Sequence, residues 1–373
     1  MQKKRNKLTI ILIILGIFIG LFLTFYNNVK PFNIEILEKK FISFLIVMIG
    51  FYFAIIIQVI FHELGHLFFG LLTGYKFLSF RIGSIILVKK KKKIVFGKHS
   101  LAGTSGQCLM SPPDFKKGRI PVVLFNLGGV IFNILTAFLF LYLYFECHYI
   151  YLKTFYFMIS AFGFLYTLTN GIPMHFTVNN DGYNVLLLLK SREAIRSFWL
   201  QLKVNELLIN DTRLKDMPKK WFKLPKKNEL NNNLTSTINV YFCNRLLDEH
   251  KYELVYKEID KILSSEEIKL IDVNKYLLIL DAIYCELVLQ KEEKYVLMYL
   301  DNNLQRFILS MQKYPSILRT IYTYALLKEN NGIKAEKIKE KFNKMANNYL
   351  YKVDIISELE LMDYAKKIKD DNM

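Results

Sequence analysis

Acidic residues are scarce in the first half of this 373-residue chain, and charge of any sign is missing from residues 41–61. Residues 1–189 hold 6 Asp and Glu against 19 Lys and Arg, whereas the rest of the chain holds 27 against 32. The formal net charge of +18 therefore sits mainly in the more apolar half, which argues against a nucleic-acid partner. Lys and Arg resist translocation and meet anionic lipid on the cytoplasmic side, so cationic loops between apolar runs point to a membrane protein. The run Lys89 to Lys93 is read in the same way, as a stretch lying against a lipid bilayer. Paired cysteines are also missing. Cys108, Cys147, Cys243 and Cys285 show no CxxC or similar spacing, which excludes a sequence-evident disulfide framework or cysteine zinc site. Glycine almost disappears after residue 190, with 16 of 17 preceding it, so the chain changes character there.

Long apolar runs are what the first half has in abundance, within an overall hydrophobic share of 52%. About 20 apolar residues cross a bilayer as a helix. Residues 8–26 form one such run after Lys3, Lys4, Arg5 and Lys7, and no small-x-small cleavage pattern follows, so a retained anchor is expected. A second run starts at residue 41 and continues to Leu72, interrupted only by His62-Glu63-Leu64-Gly65-His66. Residues 120–145 and 150–169 make a third and a fourth. Between the second and third lies a stretch of short alternating segments with Gly, Ser and Pro, read as strands and a hairpin. Lys and Arg number 4 before the first run and 11 between the second and third, against 3 between the first and second. Both termini are therefore expected on the cytoplasmic side.

Residues 183–209 read as an amphipathic segment, and Pro218, Pro225 and Asn231 to Asn233 punctuate a polar linker. Three helix-pair-like stretches follow, around 239–263, 275–309 and 316–349, with spacing near that of tetratricopeptide repeats. The expected architecture is an α-helical polytopic membrane protein with about four transmembrane helices and a small β-hairpin region, plus an all-α, tetratricopeptide-like C-terminal domain. Its parts are an anchor and loop over 1–40, a membrane core over 41–190, an amphipathic segment and linker over 191–234, and a helical cytoplasmic domain over 235–373.

The chemistry lies in the second run. Residues four apart share a helix face, so His62 and His66 can turn ring nitrogens toward one ion, with Glu63 beside it as a base for a hydrolytic water. Burying three such polar side chains in a bilayer costs several kcal/mol, about 2.5 to 3.5 for each charged group, and a metal compensates that cost. The bland alternative is a solvated helix end whose Gly65 merely allows close packing. Catalytic zinc normally takes three protein ligands, and His175 and Asp181 in NGIPMHFTVNNDGYN are both candidates for the third.

FHELGH in one apolar run, GGVIFN in a later one, and NGIP followed by NNDG after the last resemble the site-2 protease family of intramembrane zinc metalloproteases, over roughly residues 41–190. The resemblance implies zinc held by His62, His66 and Asp181, with Glu63 as the general base. It also implies a substrate-binding role for Asn133 in a glycine-x-x-x-asparagine pattern starting at Gly129, where Val130 replaces a common proline. His175 stays open as a competing ligand, because the loop after Pro173 is long. The implied function is hydrolysis of peptide bonds in membrane-embedded or membrane-associated protein or peptide substrates, by a multi-pass protein of a bacterial cell membrane. The C-terminal domain is expected to engage a protein partner or the substrate. A different class of reading is a catalytically inactive zinc-binding membrane scaffold or transport-associated protein acting through that domain, against which the intact Glu63 speaks.

Overall fold

A computed structural model describes residues 34–91, 93–98, 104–174, 179–226, 229 and 232–371. The first apolar run, residues 8–26, lies outside the described residues, as does His175.

The charge-free run and its motif form a single 39-residue helix, α1 (Ile34–Leu72), with no proline to break it. Its stretch Phe41–Leu72 and the helix α2 (Val123–Glu146) are the two described helices long and apolar enough to cross a membrane by length and composition. A third apolar helix, α3 (Ile150–Gly171), packs antiparallel-fashion after a short turn from α2. Large side chains such as Phe41, Ile49, Tyr52 and Phe53 are exposed along α1, while Ala54 and Gln58 are fully buried. An outer apolar surface around an inner stripe with polar members is the arrangement a lipid solvent favours.

The described residues divide into two compact units: those up to Phe69 with Val123–Met174 and Asn180–Asn184, and the other described residues. In the second unit the alternating segments form a four-stranded antiparallel sheet, order β3-β2-β1-β4, from β1 (Lys76–Ile82), β2 (Ile85–Lys90), β3 (Lys93–Lys98) and β4 (Gly106–Ser111). After α4 (Asp181–Lys190), which begins in the first unit, comes α5 (Arg192–Ile209), capped by the Ser191 hydroxyl accepting from the N–H groups of Glu193 and Ala194. Leu78, Ile86 and Val88 of the sheet bury against Ile209 of α5. The expected strands and hairpin are thus borne out as one small sheet.

The distal half is helical: α6 (Asn233–Asp248), α7 (Tyr252–Leu263), α8 (Asp272–Leu289), α9 (Asn302–Ser310), α10 (Pro315–Thr323), α11 (Gly332–Ala346) and α12 (Lys352–Asp371). Ile259, Leu278, Ile283 and Ile317 are among its fully buried apolar side chains. Arg319 is completely buried and is held by Asp281 and Glu358, so its charge is paired where water cannot reach. Arg213 grips Asp248 and Glu360 together, tying the segment after α5 to α6 and α12.

Near that pair, Asp354 of α12 has its carboxyl pushed up to about 7 by burial and by the neighbouring Glu358 and Asp248. The folded state therefore holds this proton more tightly than the unfolded chain. The stability it contributes is complete below about pH 4 and is lost as pH rises through about 7. Both tryptophans, Trp199 and Trp221, lie in this unit with their rings 5.2 Å apart, so their fluorescence reports its unfolding. The unfolding midpoint followed by that fluorescence is expected to fall as pH rises from about 4 to about 7. Asp354→Asn is expected to flatten that dependence, and an unchanged slope contradicts the assignment.

Candidate metal centre

Helical spacing places His62 and His66 on one side of α1, and the chain returns after α3 to bring Asp181 to them. The Nε2 atoms of the two histidines are 3.2 Å apart. Oδ2 of Asp181 lies 3.1 Å from His62 Nε2 and 3.6 Å from His66 Nε2. With Zn–N and Zn–O bonds of about 2.0 to 2.1 Å, tetrahedral ligand atoms stand about 3.3 to 3.4 Å apart. The three observed edges bracket that separation.

The hydrogen-bond partners of the two rings agree with the distances. His66 Nδ1 faces the Phe125 carbonyl at 2.8 Å, and a carbonyl can only accept, so this nitrogen carries the proton. His62 Nδ1 is 2.7 Å from Asn133 Oδ1, and Asn133 Nδ2 is turned the other way to donate to the Gln58 backbone carbonyl at 3.0 Å. Here too Nδ1 is the donor. A neutral imidazole has one N–H, so both Nε2 atoms present lone pairs toward the carboxylate. Oδ2 of Asp181 is buried and receives no hydrogen bond. Three acceptors facing one point with no proton among them fit a bound cation, and two imidazoles with one carboxylate suit zinc.

Close backbone approach makes the convergence possible. A Cβ at Gly65 of α1 would stand 2.1 Å from the Gly128 carbonyl oxygen, and one at Gly128 would stand 2.4 Å from that of Gly65. No larger residue at either position lets α1 and α2 cross so tightly. A Cβ at Gly129 would lie 2.5 Å from the His62 ring. The glycine pair of GGVIFN thus makes room first for a helix and then for a ligand.

Asp181 is positioned by its neighbour. The Asn180 side chain donates to the Thr169 and Ile172 carbonyls at 2.8 and 2.6 Å and accepts from the N–H groups of Met174 and Tyr183 at 3.1 and 2.9 Å. It closes the end of α3 and caps the start of α4 at once. Gly182 allows this junction, because a Cβ there would meet the Gly171 carbonyl at 2.2 Å. At the first turn of α4 an anionic side chain is favoured by the helix dipole.

Glu63 is on the next residue of α1, buried at 8% exposure and near enough to His66 to interact electrostatically. Asn133 is fully buried, with its side-chain oxygen and amide engaged by His62 and Gln58. Gln58, Asn180 and the Phe125 carbonyl were not singled out from sequence. An Asn directly before the first residue of a helix is a capping signal that would have identified Asn180.

Two histidines and a carboxylate whose ligand atoms converge, with a glutamate on the same turn of α1, make a candidate metal centre. The sequence profile of Peptidase family M50, the site-2 protease family, matches residues 50–359, nearly the whole chain. The chain belongs to that family, whose members are membrane-embedded zinc metalloproteases. No curated protein and no solved structure matches it.

The crowding at His62 gives a direct check. Gly129→Ala is expected to displace the ring and lower zinc affinity about tenfold or more, as disturbing a ligand's support usually does. Zinc per protein after dialysis against a graded chelator measures it, and wild-type retention by the variant contradicts the geometry.

Proposed function

We propose that this chain is an intramembrane zinc endopeptidase that hydrolyses peptide bonds of membrane-embedded or membrane-associated proteins or peptides. The observation that carries the reading is the trio of bare acceptor atoms on His62, His66 and Asp181, with Glu63 adjoining, on a helix long and apolar enough to span a bilayer. Bound zinc supplies Lewis acidity there, lowering the pKa of water to about 7 and polarising a peptide carbonyl.

The chain's own groups do the rest. Glu63 takes the proton from the attacking water and passes it to the leaving amine nitrogen as the peptide C–N bond breaks. His62 and His66 keep their Nε2 lone pairs pointed inward because their Nδ1 protons are committed elsewhere. Asp181 balances part of the metal's charge. A substrate helix hides its carbonyls in its own hydrogen bonds, so a cleavable substrate carries residues that let it unwind locally.

The apolar helix α3 and the run 8–26 are read as two further spans, supported by their composition, giving a multi-pass protein of the cell membrane. The excess of Lys and Arg before residue 8 and between residues 73 and 119 supports cytoplasmic termini. The helical part of the second unit is proposed to receive a partner or the substrate, since Leu297, Leu300 and Ile333 stand exposed on it.

Purified wild type, Glu63→Gln and Asp181→Ala, assayed in detergent for zinc content and for cleavage of transmembrane test peptides, test the proposal. Wild type is expected to hold one zinc and cleave. Glu63→Gln is expected to hold zinc and lose at least about 100-fold in rate, the usual worth of a general base. Asp181→Ala is expected to lose both. A wild type that binds zinc while Glu63→Gln cleaves equally well rules out the assigned base.

A further inference from the structure

A chain of hydrogen bonds runs outward from His62 and ends on a third helix. His62 Nδ1 donates to Asn133 Oδ1 at 2.7 Å, and Asn133 Nδ2 donates to Gln58 Oε1 at 2.7 Å as well as to the Gln58 backbone carbonyl. Gln58 Nε2 in turn donates to the Ile159 backbone carbonyl at 2.9 Å. Gln58 and Asn133 are both completely buried, in otherwise apolar helices. Room for the Gln58 amide is left by Gly163 of α3, where a Cβ would stand 2.8 Å from Nε2.

The direction of every bond is fixed by its far end. The Ile159 carbonyl can only accept, so the Gln58 atom facing it is the amide nitrogen and the atom facing Asn133 is the oxygen. Asn133 turns its own nitrogen to Gln58, where Oε1 accepts at 2.7 Å beside the backbone carbonyl at 3.0 Å, and its oxygen to His62. His62 must in consequence carry its proton on Nδ1, and the lone pair that a metal needs is left on Nε2. Reversing any amide along the way sets two acceptors or two donors face to face between fully buried side chains, a cost of about 1 to 3 kcal/mol on the usual scale for an unmet buried group.

We infer that Gln58 is a positioning residue for the metal centre: through Asn133 it fixes the tautomer and ring orientation of His62, with its own orientation set by the Ile159 carbonyl. Gln58 touches neither the metal position nor a reacting atom, and it lies one turn before His62 on the same helix face. The inference rests on the zinc reading above, and it assigns Asn133 to His62.

Zinc dissociation constants by chelator competition test it on the full chain in detergent, with wild type, Gln58→Met, Asn133→Leu, the double variant and Gln58→Glu. Asn133→Leu is expected to weaken zinc binding about 10- to 100-fold, and Gln58→Met, one bond further out, about tenfold. Because Gln58 acts through Asn133, adding Gln58→Met to Asn133→Leu is expected to cost nothing more. Gln58→Glu can still accept from Asn133, and as a carboxylic acid can donate to Ile159, so it is expected to restore binding to within about threefold. Gln58→Leu replaces the methionine variant if that one does not elute as a folded species.

Additive losses in the double variant, or a Gln58→Met affinity within twofold of wild type while wild type holds zinc, overturn the positioning role. Equal losses in Gln58→Met and Gln58→Glu do so too, because they trace the effect to packing rather than to the hydrogen bond. A wild type that binds no zinc overturns the zinc reading itself and this role with it.

Discussion

Three lone pairs aimed at one point repel each other, and in a site largely shut off from water that repulsion is poorly screened. His62 Nε2, His66 Nε2 and Asp181 Oδ2 stand 3.1 to 3.6 Å apart with every proton of the two rings used on the far side. With both rings neutral, a cation between the three atoms relieves that repulsion. The rest of the membrane unit serves this constraint. The Gly65 and Gly128 contact brings α2 against the histidine face of α1, Asn180 locks the turn that delivers Asp181, and the Phe125 carbonyl and Asn133 fix the two tautomers.

The same requirement explains the polar residues that interrupt the apolar helices. A lone Gln or Asn in hydrocarbon is a cost, and each here is repaid by meeting another polar atom: Gln58 meets Asn133 and Ile159, and Asn133 meets His62. The stripe Ala54, Gln58, His62, His66 advances four residues at a time down one face of α1, from packing to positioning to ligation. The other face of that helix carries Ile49, Tyr52 and Phe53, suited to lipid.

How much of this was legible in the sequence follows from how local each signal is. His62, Glu63 and His66 lie within one turn of one helix, so their shared face follows from helical geometry. Asp181 is far along the chain and no spacing rule reaches it; only resemblance to the site-2 protease family picked it over His175. Gln58 escaped because residues 41–61 were read for charge, and an uncharged amide in an apolar run does not announce its partner on another helix. Asn180 was hidden by the neighbouring ligand, though its place before a helix start is a capping pattern. In the second unit, alternation between residues 73 and 118 was enough to foresee strands. Their order, with β1 paired to both β2 and β4, depends on contacts that alternation does not encode. The distal helices were readable from the change in composition and the helix-pair-like stretches, whereas the buried Arg319 with Asp281 and Glu358 joins residues from three separate helices.

X-ray absorption at the zinc edge on the purified full-length protein tests the central claim most directly. The account predicts one zinc in a nitrogen and oxygen environment at about 2.0 to 2.1 Å, with the multiple scattering of two imidazoles. Sulfur scattering at about 2.3 Å, or an absorption edge no stronger than background, would contradict it.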